Sequence, residues 1–493
     1  MRSPSLSAAG AGAGLGPAIR PAAIVVRRTF AEAAVIVQVA LGAAVVLAAA
    51  ERRSVLSSTH HGAFSDWFAG PLRGMLPSLT HDPTTLKRDL ELTLLAMFAA
   101  WVIVVLAGSI VRPGVVIGAV LVLHAVFLLC PVFALTDVFN YLGYARLDAV
   151  HHLNPYVHLQ LLERGDPVYA YSNWHRLLSP YGPLFTLLLL PVAKLPLPVA
   201  YWTYKAIATL ATLGLLAAVW GCARRLGRAP APAVAFVGLN PVVLVYALGG
   251  KHNDLLMMAC LMAGGLLILA RREVAGGTVL AAAVAIKASA GLFAPVIALA
   301  APRRWRAVAG GAAAALVLAV VALIAFGPHV PDLRDQTRLV SPHSFPNLIG
   351  YALGRGGADA GVRAAMTVLL IAGVAVCALV AWRVRSWPTA AGWAGLLAVV
   401  CTSWLIPWYV LWALPFAALS GRRLLRGVTI VVTAWLILFS SGLAPVVVPK
   451  LSRSLSRTPV ARENQRFERS LLDNPPRHRV LTRREHRANR GKP

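Results

Sequence analysis

Five side chains able to take part in a reaction fall at helical spacing in TDVFNYLGYARLDAVHHLNPY, residues 136 to 156. Asp137, Tyr141, Tyr144, Asp148 and His152 recur at i, i+4 and i+7 and so share one face. A carboxylate there can take a proton, and phenol and imidazole groups can hold a polar ligand. Asn140 and His151 flank that face, while Val138, Leu142, Ala145 and Ala149 form the apolar one behind it. The pattern predicts a helix along a membrane surface, its apolar stripe buried and its carboxylates turned toward an aqueous cavity. It equally fits an ordinary amphipathic helix whose tyrosines sit in the interfacial aromatic belt. Asn154 and Pro155 stop the helix in either case.

The elements that must position these groups are membrane spans. Hydrophobic residues make up 58% of the 493 and charged residues 13%, and mean hydropathy is +0.68. Since about 20 apolar residues cross about 30 Å of hydrocarbon, the chain holds roughly eleven to thirteen candidate spans, some short and paired. The expected fold is all-α, a polytopic transmembrane bundle. The formal charge of +28 gathers at span ends and in the C-terminal tail, a pattern of cytoplasmic anchoring to anionic lipid and not of nucleic-acid binding. The five cysteines lie in or beside apolar runs without CxxC or metal-type spacing, so neither a disulfide framework nor a zinc site is expected.

Threading by the positive-inside rule gives a disordered cytoplasmic leader (1–28), a transmembrane domain (29–449) and a basic disordered tail (450–493). Residues 136–181 form the first large loop outside the cytoplasm. The apolar run after SPYGPLF (179–185) is read as an interfacial or re-entrant helix before a span at 199–220. Spans at 231–248 and 255–270 enclose GGKHND (249–254). Residues 275–301 are too long for one span and too short for two, yet basic turns flank both ends; a hairpin of half-helices with Lys287 near its tip satisfies both constraints. The same holds for 390–420, broken at IPWY (406–409). A last span at 427–448 would place the tail outside, whereas its charge places it inside, and the reading follows the charge.

In this threading Asp137, SPYGPLF, GGKHND, Lys287 and IPWY come to one side. Ionisable groups at mid-span cost about 2.5 to 3.5 kcal/mol each, so a convergent set implies a use. Asp137 with NYLGYARL, then NPY, GDPVYA, SPYGPLF, Asn240 and Pro241, HND, a lysine between short helices and PWYVLWALP together resemble the bacterial polyprenol-phosphate-mannose-dependent α-1,6-mannosyltransferases. These are membrane glycosyltransferases of the GT-C superfamily. The resemblance covers about residues 115 to 420 and lies in the order of the motifs; LVSPHSFPN and the tail match nothing in it.

The resemblance implies a multi-pass cell-membrane protein of GT-C type with its active site on the extracytoplasmic face. It implies a polyprenyl phosphate sugar donor, mannose first among sugars, and a glycan or glycolipid acceptor. It also implies that the acid opening the first outer loop, Asp137, is the general base. One carboxylate suffices, because polyprenyl phosphate leaves as an anion without a proton, unlike the pair that glycoside hydrolysis calls for. The phosphate needs a fixed cation: Lys287 first, then Lys251, His252 and Arg146. Lys287 also fits a snorkelling residue, His252 a satisfied histidine at a helix start, and Asp254 an N-cap. Asn253 and Asp254 are candidate sugar ligands, Asp148 an orienter of the acceptor, and Tyr141, Tyr144 and Trp408 further substrate contacts; Trp408 and Tyr409 equally fit interfacial anchors. Glu163 and Asp166 are read as solvating the loop. Asp137 and Asp148 stand about 16 Å apart along a helix, too far to share an ion, so no metal and no cofactor is expected. Two rivals remain: a secondary transporter, which discontinuous helices would suit and a polar loop of over forty residues would not, and a non-catalytic scaffold of the same fold.

Overall fold

The computed structural model describes residues 19–51, 64–76, 82–133, 136–440 and 443–472, and among these the regular structure is helical with no β-strand. Helix α1 (Ile19–Glu51) is followed by the single turn α2 (Asp66–Ala69); α3 (Pro83–Ala107) and α4 (Pro113–Leu129) both pack on α1. Arg112 in the tight turn between α3 and α4 ties back to Glu32 of α1 at 2.7 Å. The short α5 (Asp137–Ala149) and α6 (Pro183–Ala193) lie against α7 (Leu197–Arg225), which packs on α8 (Pro230–Gly238) and α9 (Asp254–Leu269). Next come α10 (Glu273–Ile286), α11 (Ala294–Leu299) and α12 (Arg304–Phe326), with α10 wedged between α9 and α12. The outer turns α13 (Arg334–Arg338) and α14 (Phe345–Ala352) lead into α15 (Ala360–Val384), α16 (Trp387–Cys401), α17 (Leu414–Ser420) and α18 (Arg423–Ser440). The described chain ends with α19 (Ala444–Val447), α20 (Pro449–Ser456) and α21 (Pro459–Leu471).

Among the described residues α1, α3, α7, α12 and α15 are long and apolar enough to cross a membrane, and shorter apolar helices lie between them. Helices α12 and α15 present bare aliphatic faces: Leu316, Ile324, Val368 and Ile371 are 67%, 80%, 66% and 64% exposed. In water such a belt would be an association site; around a bundle of this length it is the lipid-facing surface. The expected all-α polytopic architecture is therefore observed.

Both half-helix hairpins form. The run 275–301 breaks at Lys287, whose extended backbone (φ −152°, ψ 125°) separates α10 from a 3-10 turn at Ala288–Leu292. The run 390–420 breaks between Cys401 and Pro407, where proline has no N–H to continue a helix, and resumes as a 3-10 turn at Pro407–Trp412. Each break leaves polar backbone at depth, which is tolerated where it lines a protein cavity.

Four expectations are corrected. The stretch 231–248 is not one continuous span: α8 ends at Gly238, and Asn240 Oδ1 accepts the N–H groups of Val242 (3.0 Å) and Val243 (3.2 Å) across Pro241. A π-helical segment, Val243–Leu248, then runs into GGKHND; such wide turns recur at functional sites. Helix α5 does not lie on a membrane surface, because Val138, Leu142 and Ala145 are as buried as Tyr141 and Tyr144, enclosed by α6, α7 and the loop that follows. The leader is helical from Ile19, and residues 1–18 lie outside the described residues. Finally, the tail is not disordered up to Leu471. Helix α21 packs on the loop 136–181, with the N–H of Arg176 donating to Leu471 O at 3.1 Å and Leu471 clustering with Leu177 and Leu339. That contact puts residues 459–471 on the same side as the loop, as the span count required and the charge did not. Residues 473–493 lie outside the described residues.

Candidate functional site

Asp137 opens α5, and the residues around it fix its place. The Thr136 hydroxyl donates to Asn173 Oδ1. One turn on, the fully buried Asn140 accepts the backbone N–H groups of Asn173 (3.1 Å) and Trp174 (3.2 Å) on Oδ1 and donates from Nδ2 to Asn173 Oδ1 (2.8 Å). Removing that amide would strand two backbone donors, which is why the acid and the Asn173–Trp174 turn behave as one unit. Farther along the loop, Asn154 Nδ2 donates to Phe326 O at 2.6 Å, and the Tyr156 hydroxyl meets Tyr181 O (3.0 Å) and Thr186 Oγ1 (2.9 Å). NPY and SPYG are thus two halves of one anchor.

The GGKHND turn arrives from α8 and faces Asp137. His252 Nδ1 lies 2.9 Å from Asp137 Oδ2, short in distance but not directed as a linear hydrogen bond. The imidazole is held instead by stacking on Trp408, with centroids 3.5 Å apart and planes within 10°. A Cβ on Gly250 would stand 2.4 Å from His252 Nε2, so only glycine leaves the ring this position. Lys251 has a left-handed backbone (φ 54°) and sends its fully buried ammonium to Thr209 Oγ1 at 2.8 Å.

Lys287 enters from the break after α10. Gly182 sets its height: its N–H donates to Ile286 O at 3.1 Å, and a Cβ there would fall 2.1 Å from Ala285 O. Lys287 Nζ lies 2.7 Å from Asp254 Oδ2 and 3.3 Å from Asn253 Oδ1, and sits 5.7 Å from the Tyr409 ring centroid. The other Asp254 oxygen accepts Trp412 Nε1–H at 2.7 Å, so this carboxylate is committed to holding lysine and tryptophan. The N–H of Asn253 donates to the Tyr141 hydroxyl at 3.2 Å, and the Tyr141 ring meets Tyr181 and Phe185 edge-on.

Asp137, Tyr141, Lys287 and Trp408 line one cavity of about 930 Å³. Ligand pockets run from about 300 to 1,000 Å³, so this one has room for more than a single sugar. His252, Asn253 and Asp254 stand directly behind these groups. Four other expected site residues do not reach it. Tyr144 spends its hydroxyl on Leu177 O at 2.9 Å. Asp148 lies away from the lining, its carboxyl raised above the usual range by partial burial. Lys251 is occupied as described. Arg146 pairs with both oxygens of Asp166 at 2.9 Å and donates to Ala193 O at 2.8 Å. Asp166, read as a solvating acid, is buried and also meets His151 Nε2 at 2.7 Å: it is the knot of the loop, not its wet edge.

The cavity has a second wall that the sequence motifs do not contain: Asn173 and Trp174 from the loop, Gln336 from α13, Arg363 from α15, Trp404 from the second hairpin and Glu468 from α21. Trp412 is the exception that carried a signal, since it follows Trp408 by four residues in PWYVLW.

The family described as "Alpha-(1->6)-mannopyranosyltransferase, N-terminal domain" matches residues 37–303, which include Asp137, the HND turn and Lys287. The Alpha-(1->6)-mannopyranosyltransferase A of Mycobacterium tuberculosis (strain ATCC 25618 / H37Rv) is 29% identical over 317 residues, which cover 57% of this chain. The chain spans 59% of that relative's length. With the matched region making up more than half of the sequence and carrying the acid, the HND turn and the lysine of the cavity, the chain belongs to the alpha-(1->6)-mannopyranosyltransferase family of membrane glycosyltransferases.

Proposed function

We propose that the protein transfers a mannosyl group, with inversion, from a polyprenyl phosphate to a hydroxyl of a glycan or glycolipid on the extracytoplasmic face. The observation that carries this reading is that Asp137 and Lys287 open into the same cavity. Asp137 takes the acceptor's proton as its oxygen bonds to the anomeric carbon. The bond from that carbon to the phosphate oxygen breaks, and polyprenyl phosphate departs as an anion beside the Lys287 ammonium. The faces of Trp408 and Tyr409 suit the cation-like sugar between them.

Two features support the donor class and the face. An almost wholly apolar groove of about 630 Å³ runs along α10, α11 and α12 and includes Pro183, Ala285 and Gly291 beside the Lys287 break, a fitting berth for a prenyl chain entering from lipid. Helices α9, α10 and α17 each have one end at the site and the other at a basic turn: Arg271 and Arg272, again Arg271 and Arg272, and Arg422 and Arg423. By the positive-inside rule such turns belong on the cytoplasmic side, which supports an outward-facing cavity.

Purified protein in lipid vesicles, offered labelled polyprenyl phosphate sugars one at a time with an α-1,6-mannoside acceptor, tests the reading. The expected product forms from the mannosyl donor with the opposite anomeric configuration. No product from any donor would favour the transporter, for which the two broken hairpins are the structural argument. A smaller effect is expected for Gly250→Ala: the added methyl displaces the buried His252 from Asp137 and Trp408, lowering the initial rate at least tenfold and also lowering thermal stability, since overpacking costs about 1 to 3 kcal/mol.

A further inference from the structure

One wall of the cavity comes from a segment well beyond the matched family region, which ends at residue 303. Glu468 and Leu472 reach the cavity from the end of α21. The helix is firmly seated. Thr458 caps its start by accepting the N–H of Ala461 at 3.2 Å, Asn464 Oδ1 accepts the N–H of Val340 at 2.6 Å, and Leu471 O accepts that of Arg176. Arg338 lies 4.1 Å over the Phe467 ring. Phe467 and Leu471 share a small apolar cluster with Trp174 and Trp404, both of which also line the cavity. Trp174 is bonded to Asn140, three residues after Asp137, so this wall is mechanically continuous with the acid.

No hydrogen bond or salt bridge to the Glu468 carboxylate is formed among the described residues, and its neighbour Arg469 acts on it only through space. Burial holds its carboxyl above the usual range. A half-buried carboxylate beside two indoles is itself no ligand for a phosphate and is suited to hydroxyl donors, and Arg363 on the same wall adds N–H donors that a sugar's oxygens can accept. An ionised carboxylate is an acceptor with two oxygens, and indole faces cover the C–H side of a pyranose. Among the described residues, Lys287 is the cation on the wall from the matched region, while the second wall carries Glu468 from α21 together with Arg363 from α15.

We propose that α21 builds the acceptor subsite and that Glu468 is a specificity-determining residue, accepting hydrogen bonds from hydroxyls of the acceptor sugar adjoining the one that reacts. This rests on the transferase reading above and deepens it. The ligand class it selects is a neutral oligosaccharide or the neutral glycan portion of a glycolipid.

The test uses the full chain in lipid vesicles, with polyprenyl phosphate mannose as donor and octyl α-1,6-mannobioside as acceptor. Glu468→Gln keeps the side-chain shape and removes the charge. It is expected to raise KM for the acceptor about tenfold or more while KM for the donor stays within twofold. Glu463→Gln, on an exposed position of the same helix, is expected to move neither. An acceptor KM within twofold of the parent in Glu468→Gln overturns the proposal, and so does a donor KM raised in proportion, which would make Glu468 a support of the whole cavity. Absence of product with the unaltered protein overturns the transferase reading itself, so the two failures are distinguishable.

Discussion

Asp137→Asn should lower transfer by about 10² to 10⁴-fold, the range a positioned general base contributes, with donor binding and folding unchanged. The amide matches the carboxylate in shape, and the surroundings do not depend on the charge. His252 is held by Trp408, and the Asn173–Trp174 turn by Asn140 and Thr136. The loss should therefore fall on kcat at saturating donor and acceptor, and thermal unfolding of the variant should match the parent. A variant that keeps more than a tenth of the parental rate would mean that the proton goes elsewhere. Asp254 cannot replace Asp137, because both of its oxygens are taken by Lys287 and Trp412. Among the described residues Glu468 is then the remaining acid of the cavity lining, and Asp137→Asn combined with Glu468→Gln would locate the base.

How far the sequence could be read depends on what each pattern measures. The hairpin at 275–301 was legible because length and charge over-constrain it: basic turns at both ends demand an even number of crossings, which the run is too short to make as full spans. The period of α5 was legible too, and Asp137 and Tyr141 do face one cavity. Periodicity, however, says which residues share a face and nothing of what covers either one. The covering comes from Gln160, Leu177 and Tyr181, whose contacts with α5 depend on how the loop 150–181 folds back. From sequence Arg146 reads as a phosphate ligand for the same reason: its partner Asp166 lies twenty residues on, in a loop with no local pattern to betray the pairing.

The tail failed differently. Its charge outweighed a weak helical signal that was present: Thr458 and Pro459 as cap and first residue, with Phe467 and Leu471 one turn apart on one face. Gln336, Arg363 and Glu468 come from three separate elements, and no spacing rule joins residues that meet only in space.

Lys287 poses the sharper question, since the same ammonium neutralises Asp254 and faces the cavity. Lys287→Met should do two separable things. Asp254 is fully buried, and removing one partner of a buried ion pair costs about 3 to 5 kcal/mol, somewhat less here because the lysine side chain is 19% exposed. Thermal unfolding of the single variant should therefore drop clearly, and loss of activity alone would be ambiguous. Adding Asp254→Asn removes the orphaned charge and leaves an amide that still accepts from Trp412 Nε1. The double variant is expected to regain most of the lost stability yet transfer at least 10²-fold more slowly than the parent, because nothing positive remains on that wall to meet the departing phosphate. Return of transfer together with stability would make Lys287 a structural counter-ion. The anion would then have to be held by Arg363, the other cation of the cavity lining, and the donor would have to lie in the opposite orientation, with its phosphate toward the wall that also bears Glu468.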